Sequence, residues 1–466
     1  MEQFLNQLST VVGTLGAIVL IPVILFIICK IAGVTTEKSF RSALLCAVGL
    51  QGFNLVINSY GAIVAPVVQQ MVDATGGAVQ LNVLDTGWQS TSVIAYSTTV
   101  GILFIGVVLV LQLVLFLVKW TDVFMASDLW NNYSFMVWGS MLFALTKNMG
   151  LAMALMILQL LYILLFSEVI AKRWSNHYQY PNCCMTAPHH MEAVPFAMFA
   201  NWVLNLIGLN KIKVDAASIQ KKFGLFGEPM VIGLIVGFII GIIGNLQQIA
   251  TLAGWGSICA VAISTAAIMV VFPKVGGVFA SAFTYLTEAF RAKAAKSGEG
   301  REWYLAVNDA AGYGETNTLT AGVLLMPIML GLAFILPGNR MLPMADLVAL
   351  PYCVEVFVCT SHGNVVKSII MGAIWWSIGM IIFSGLAPTF TQVAVETGFQ
   401  LPASAVYIGS LGIMTKPFML LLFYAAWKLG FAGIAILLVV YFVVYFLFKK
   451  NRQAVYAWLE SNGGVA

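Results

Sequence analysis

Two stretches of this chain set acids, amides and hydroxyls directly against apolar runs long enough to cross a bilayer. One reads Val307-Asn308-Asp309-Ala310-Ala311-Gly312-Tyr313-Gly314-Glu315-Thr316-Asn317-Thr318 and runs into the apolar segment 323–336. The other, far upstream, reads Asp85-Thr86-Gly87-Trp88-Gln89-Ser90-Thr91-Ser92 and runs into 100–118. Each has an Asp, then a Gly beside an aromatic, then a patch rich in hydroxyls and amides. A carboxylate at the bilayer centre costs about 2.5–3.5 kcal/mol, so it requires a partner or a task. Asp309 and Glu315 are therefore the candidate proton acceptors for a reacting hydroxyl. Asn308 and Asn317, with Gln89, Ser90 and Thr91 in the other stretch, are candidate ligands for a polyhydroxylated solute. Their side chains both donate and accept, as hydroxyls require.

Other polar residues interrupt apolar segments in the same way. Segment 133–170 is too long for one crossing and is broken at Thr146-Lys147-Asn148, with Asn131 and Asn132 just before it. Segment 347–386 is broken at Thr360-Ser361-His362-Gly363-Asn364, which adds His362 and Asn364 as candidates. His189-His190 follows Pro188, opens an apolar segment and precedes Glu192. Unwound backbone at membrane depth has to be buried in protein or face a watery cavity. Half-helix ends there offer free N–H and C=O groups to a ligand.

The elements that hold these residues follow from composition. The 466 residues are 60% hydrophobic and 9% charged, with a mean hydropathy of +0.92. A soluble domain carries about 25% charged residues, so this is an all-α polytopic membrane protein. The net charge of +4 fits basic cytoplasmic loops and not nucleic-acid binding. The first ten residues carry Glu2 and neither Lys nor Arg, which argues against a cleaved secretory signal. Basic loops at 30–41, 211–222, 274–301 and 449–452 share one side if there are about 11 spans, with the N-terminus outside and the C-terminus cytoplasmic. Lys172 and Arg173 are the exception to that rule. Phe279, Phe283, Leu286 and Phe290 recur at helical spacing and suggest an interfacial helix. Segments 85–170 and 309–387 share an order of features: acidic patch, span, short loop, broken long segment. Met125-Ala126-Ser127-Asp128-Leu129 is matched by Met344-Ala345-Asp346-Leu347. With the two units facing opposite ways, this is the inverted-topology repeat of secondary-type transporters.

Several chemistries are excluded. No G-x-x-x-x-G-K-[ST] motif occurs, which argues against ATP hydrolysis. Gly312-Tyr313-Gly314 fails the G-x-G-x-x-G pattern because Asn317 stands at its last position. The seven cysteines read as structural, and too few ligands converge for a metal. No cofactor is expected.

The chain resembles the membrane-embedded IIC component of the galactitol-type bacterial phosphotransferase system, within the ascorbate–galactitol superfamily. The matching stretches include Asp85-Thr86-Gly87-Trp88, Asp128-Leu129-Trp130-Asn131, Pro188-His189, Asn210-Lys211-Ile212-Lys213, Pro337-Gly338-Asn339 and His362-Gly363-Asn364. The most distinctive is Ile219-Gln220-Lys221-Lys222-Phe223-Gly224-Leu225-Phe226-Gly227-Glu228-Pro229. The resemblance implies one IIC unit over 1–466, with two re-entrant hairpins, a scaffold domain and a moving core domain. It implies a homodimer in the bacterial inner membrane and an elevator-like, alternating-access movement. The sugar or alditol would be phosphorylated as it enters, making the chain the membrane subunit of a phosphoenolpyruvate-dependent phosphotransferase. The donor would be a phosphocysteine on a separate IIB protein, charged through IIA, HPr and enzyme I. Family substrate positions correspond to Gln89, Ser90, Thr91, Ser134, His189, His190, Asp309 and His362. Ser134 and Glu315 stand where the galactitol pattern has His. The resemblance therefore leaves the substrate open between galactitol and another alditol or sugar. Two rival readings are an ion-coupled polyol or sugar symporter without phosphorylation and a non-transporting membrane sensor.

Overall fold

The computed structural model describes residues 18–19, 22–73, 81–125, 130–212, 214–286, 288–289, 302–402 and 405–463. Asp128, Leu129 and Phe290, and residues 11–17 and 20–21 of the expected first span, lie outside the described residues. In chain order the elements used below are α1 (Thr36–Asp73), β1 (Val83–Asp85), α2 (Trp88–Ser97), α3 (Thr99–Leu117), β2 (Val123–Phe124), α4 (Tyr133–Thr146), α5 (Met149–Tyr178) and β3 (Cys183–Met185). They continue with α6 (Pro188–Met191), α7 (Val194–Leu206), α8 (Ala216–Phe223), α9 (Pro229–Gly244), α10 (Leu252–Ser281) and β4 (Tyr304–Val307). Last come α11 (Ala310–Tyr313), α12 (Thr316–Ile335), β5 (Met341–Leu342), α13 (Leu350–Cys353), α14 (Glu355–Thr360), α15 (Val365–Glu396), β6 (Tyr407–Gly409), α16 (Pro417–Leu429) and α17 (Phe431–Glu460).

Seven of the described helices are long and apolar enough to cross a membrane, or eight if the bent pair Ala216–Gly227 and Pro229–Gly244 is one span. The chain is a multi-pass helical membrane protein. Pro22–Ile31, Tyr133–Thr146 and Pro417–Leu429 are shorter apolar helices among the described residues. The interruptions expected in the long segments are present. Lys147 turns left-handed at φ 54°, and the Asn148 side chain accepts from Leu151 N at 2.9 Å to start α5. His362 and Gly363 turn at φ 58° and 78°, and the Asn364 side chain accepts from Lys367 N at 3.0 Å to start α15. A polar residue after a left-handed turn closes one helix and caps the next.

One expectation is corrected. Residues 274–281 continue α10 past Pro273 instead of forming a polar loop. Phe279, Phe283 and Leu286 are buried and do not face headgroups. Phe279 lies against Gly49 of α1, where a Cβ would come within 2.7 Å of it. On α9 the glycines at 233, 237, 241 and 244 let a neighbour approach. A Cβ on Gly237 would sit 2.6 Å from Thr265 Oγ1 of α10. Small residues at every fourth position are how membrane helices without a hydrophobic drive pack closely. Helices α1, α9 and α10 form one packed group.

Two three-stranded sheets, all parallel, pack among the helices. In one the order is β5–β1–β6, with Val83 paired to both Met341 and Tyr407 and Asp85 to Gly409. In the other the order is β2–β4–β3, with Tyr304 paired to Val123 and Val307 to Met185. Each central strand comes from one half of the chain and both of its neighbours from the other half. The strands satisfy backbone groups where the chain is unwound.

Asp85, at the end of β1, completes the first sheet. Its Oδ1 accepts from Gly87 N and Leu411 N, and its Oδ2 accepts from Met344 N and Asp346 N, at 2.8–3.2 Å. Asp346 in turn accepts from Ser410 Oγ and Gly412 N, both at 2.7 Å. Gly87 turns at φ 65°, and a Cβ there would lie 3.0 Å from Asp346 Oδ1, so no other residue fits easily. Asp85→Ala removes the acceptor of four backbone N–H groups. Each orphaned donor costs about 1–3 kcal/mol. In a thermal melt of detergent-purified protein, Asp85→Ala unfolds well below wild type, and Asp85→Asn, which keeps one acceptor oxygen, falls between them.

Candidate functional site

The second sheet aims its three strands at one place. Beyond β4 the chain continues into Asn308 and Asp309, beyond β3 into His189 and His190 on α6, and beyond β2 into Asn131 and then Ser134 at the start of α4. Pro188 sets the first turn of α6, as proline does at a helix start. These residues converge on the Asp309 carboxylate. His189 Nε2 is 3.3 Å and His190 Nε2 3.2 Å from Oδ2, while Asn131 Nδ2 donates to Oδ1 at 3.3 Å. Behind them Ser134 Oγ is 2.8 Å from His189 Nδ1. If the serine hydroxyl donates to Nδ1, His189 carries its proton on Nε2, facing the acid.

Burial separates the roles within this cluster. Asn131, Ser134 and His190 are each 1% exposed and His189 is 6% exposed. The Asp309 side chain keeps 14% exposure, so the acceptor is the member that can meet a ligand. Among the described residues no Lys or Arg forms an ion pair with it. The carboxylate is held by neutral-type donors, which orient it without covering it with a fixed positive charge. A hydroxyl entering here finds an acceptor in the carboxylate and donors in the imidazoles and amide. The same His189, His190 and Asp309 present one ligand atom each within 4.8 Å of one another, a possible three-ligand metal set. Those atoms are already engaged with each other, and no further His, Cys, Asp or Glu joins them among the described residues.

The remaining expected site residues are placed elsewhere. Glu315 is the N-cap of α12: it accepts from Asn317 N, Asn317 Nδ2, Thr318 N and Thr318 Oγ1 at 2.7–3.0 Å. Its oxygens are occupied by the helix it starts, with His177 Nε2 3.7 Å away. Asn317 Oδ1 accepts from Ala216 N at 2.7 Å and so fastens α8. His362 Nε2 faces Leu459 O at 2.8 Å, and Asn364 Nδ2 donates to Ile212 O at 2.7 Å, tying the second break to the C-terminal helix and the basic loop. Asn308 is 6% exposed, beside Asp309 in sequence. Gln89 is exposed, while Ser90 and Thr91 are buried and bond within their own turn, to Thr86 Oγ1 and Trp88 O. No hydrogen bond among the described residues joins Gln89, Ser90, Thr91, His362 or Asn364 to the Asp309 cluster. Helix α2, which carries the first three, packs on α4, which carries Ser134.

Three buried charged residues near the cluster escape sequence reading as site members. Glu192 accepts from Trp375 Nε1 at 2.5 Å and from Phe418 N at 2.9 Å, which joins α6 to the first turn of α16. Lys416 is 1% exposed. Glu355 is 0% exposed and both its oxygens lack a hydrogen-bond partner. The available signal was a charge inside an apolar context, as in Thr415-Lys416-Pro417 and Val354-Glu355-Val356.

Comparison with known proteins agrees with this picture. Residues 10–404 match the EIIC-GAT family, described as a PTS system sugar-specific permease component. A "Putative permease IIC component" of Escherichia coli K12 is 27% identical over 401 residues, covering 86% of this chain and 90% of that protein. The "PTS system galactitol-specific EIIC component" of the same strain is 27% identical over 387 residues, covering 82% of this chain and 83% of that protein. The protein of that name in Escherichia coli O157:H7 matches to the same extent. With a family match along most of its length, and with acid, imidazoles and amide gathered where two halves of a membrane protein interlock, the chain belongs to the sugar-specific permease components of the phosphotransferase system.

Proposed function

We propose that this chain is a IIC permease that binds a galactitol-like alditol or sugar and presents it for phosphorylation by a phosphorylated IIB protein. The observation that carries this reading is the partly exposed Asp309 carboxylate, held by two imidazoles and an amide at the ends of three strands. The substrate hydroxyl donates to Asp309 while its other hydroxyls take donors from His189, His190 and Asn131. In the transfer step the S–P bond of the IIB phosphocysteine breaks as the O–P bond to the substrate forms. The hydroxyl proton passes to Asp309, and the thiolate remains on IIB. Phosphoryl transfer asks a protein mainly for positioning and charge stabilisation. Asn308, Asn317, Gln89, Ser90 and Thr91, with His362 and Asn364, act in this reading through the shape of the cavity walls. Ser134, which orients His189, is a specificity position, and Glu315 is a helix cap and not the proton acceptor.

Segments 85–170 and 309–387 form an inverted repeat with two re-entrant hairpins. The exchange of strands between the halves supports this reading. The packed group α1, α9 and α10 belongs to a scaffold through which a homodimer forms, and the interlocked halves form a core that carries the pocket across in an elevator-like step. The N-terminus is outside and the C-terminus cytoplasmic, so that Lys211, Lys221 and Lys222 face IIB. IIA, HPr and enzyme I supply the phosphoryl group.

The test is uptake of labelled galactitol into proteoliposomes with and without the phosphorelay proteins. The expected product is a phosphate ester inside the vesicle. Accumulation of unmodified galactitol on an ion gradient would instead assign a symporter. Asp309→Asn lowers ester formation by about 100- to 10,000-fold, the usual contribution of proton transfer, while the protein still inserts and dimerises. Unchanged uptake would remove Asp309 from the mechanism. Glu315→Gln keeps more of its transfer rate than Asp309→Asn and loses about 0.5–2 kcal/mol of stability, as a damaged cap does. Parallel melts and transfer assays on the two variants separate these roles.

A further inference from the structure

Helix α16 begins at Pro417, and the residue before it, Lys416, is among the most buried cations in the chain at 1% exposure. Its ammonium lies 5.3 Å from the centroid of the Trp376 ring. Among the described residues it has no hydrogen bond and no ion pair. The geometry follows from the meeting of two proline-started helices. Glu192, at the end of α6, accepts from Phe418 N in the first turn of α16, and this contact joins the helix that Lys416 precedes to the helix that carries the histidine pair. One half of the chain thus contributes the imidazoles and the other half a cation.

An ammonium carries three donors and strong hydration, and burying it without an acceptor is unfavourable. The face of Trp376 offsets part of that cost. Glu192 lies beyond ion-pair distance of it, and the Glu192 oxygens accept from Trp375 Nε1 and Phe418 N. The donors therefore call for an acceptor from outside the chain. Resting on the phosphotransfer reading above, we propose that Lys416 belongs to the site: it holds the anionic oxygens of the phosphoryl group during transfer and of the ester once formed. Asp309 and the histidines then serve the hydroxyl end of the reaction, and Lys416 serves the phosphoryl end. A single cation of this kind stabilises charge that develops only as the phosphoryl group arrives, so it should matter for transfer and little for binding the uncharged substrate.

The experiment uses full-length protein in proteoliposomes, with galactitol as the probe. Wild type, Lys416→Met, Lys416→Arg and the double variant Lys416→Met/Glu192→Gln are compared in two assays. One is galactitol binding without the phosphorelay; the other is the rate of galactitol phosphate formation with phosphorylated IIB. The expected result is a loss of about 100-fold or more in transfer for Lys416→Met, with galactitol affinity close to wild type. Lys416→Arg recovers part of the rate, and the double variant stays as slow as Lys416→Met. Transfer at the wild-type rate in Lys416→Met would overturn the assignment. So would recovery in the double variant, which would make Lys416 a counter-charge for Glu192. A loss of galactitol binding equal to the loss of transfer would also overturn it, assigning the ammonium to folding or to the unmodified substrate. Absence of ester with wild-type protein would instead sink the phosphotransfer reading itself.

Discussion

Backbone groups left over where a membrane helix breaks must be satisfied by protein, and in this chain one half satisfies the other. Asp85 gathers backbone N–H groups from Met344, Asp346 and Leu411, all in the second half. Asp309, in the second half, is met by side chains from the first: Asn131, His189 and His190. The two acids occupy comparable places, each at the exit of a central strand. They differ in what surrounds them. Asp85 is 2% exposed and its oxygens are filled by main-chain donors, which makes it a structural knot. Asp309 retains exposure and is held by side chains that can exchange one partner for another. One acid is thus filled by main-chain donors, while the other keeps an exposed face among side chains.

That division explains how much was legible in the sequence. Asp309, Asn131 and the histidine pair could be found because polar residues inside apolar runs have a cost that selects for use. The breaks at 146–148 and 360–364 were legible for the same reason. Ser134 has no such signature. A serine in an apolar helix is common, and only the family pattern pointed to it. Glu315 looked like a site acid because an acid before Thr316-Asn317-Thr318 reads the same whether it binds a ligand or caps a helix. In the structure its oxygens accept from Asn317 and Thr318 at the start of α12.

What the sequence hid is mostly long-range or very short. The strands are two to four residues long, below any readable periodicity, and β1 is indistinguishable from a polar loop. The contact of Glu192 with Phe418 spans 226 residues, so nothing local to Lys416 announces its place beside the histidines. Apolar length alone does not mark where Tyr133–Thr146 and Pro417–Leu429 stop as short helices. Phe279 and Phe283 show the opposite failure. Their helical spacing was correct, but both rings are buried, Phe279 against Gly49 of α1.

The exchange of strands also sets a schedule for biosynthesis. Thr86 and its acceptor on Gly409 are 323 residues apart. At ordinary rates of synthesis that separation corresponds to roughly 15–65 s on the ribosome. During that interval β1 has neither of its neighbouring strands to pair with, and its polar main chain has no home in lipid. The nascent first half is therefore expected to linger in the watery vestibule of the insertion machinery, and to settle into the bilayer only once the tail of the protein has emerged.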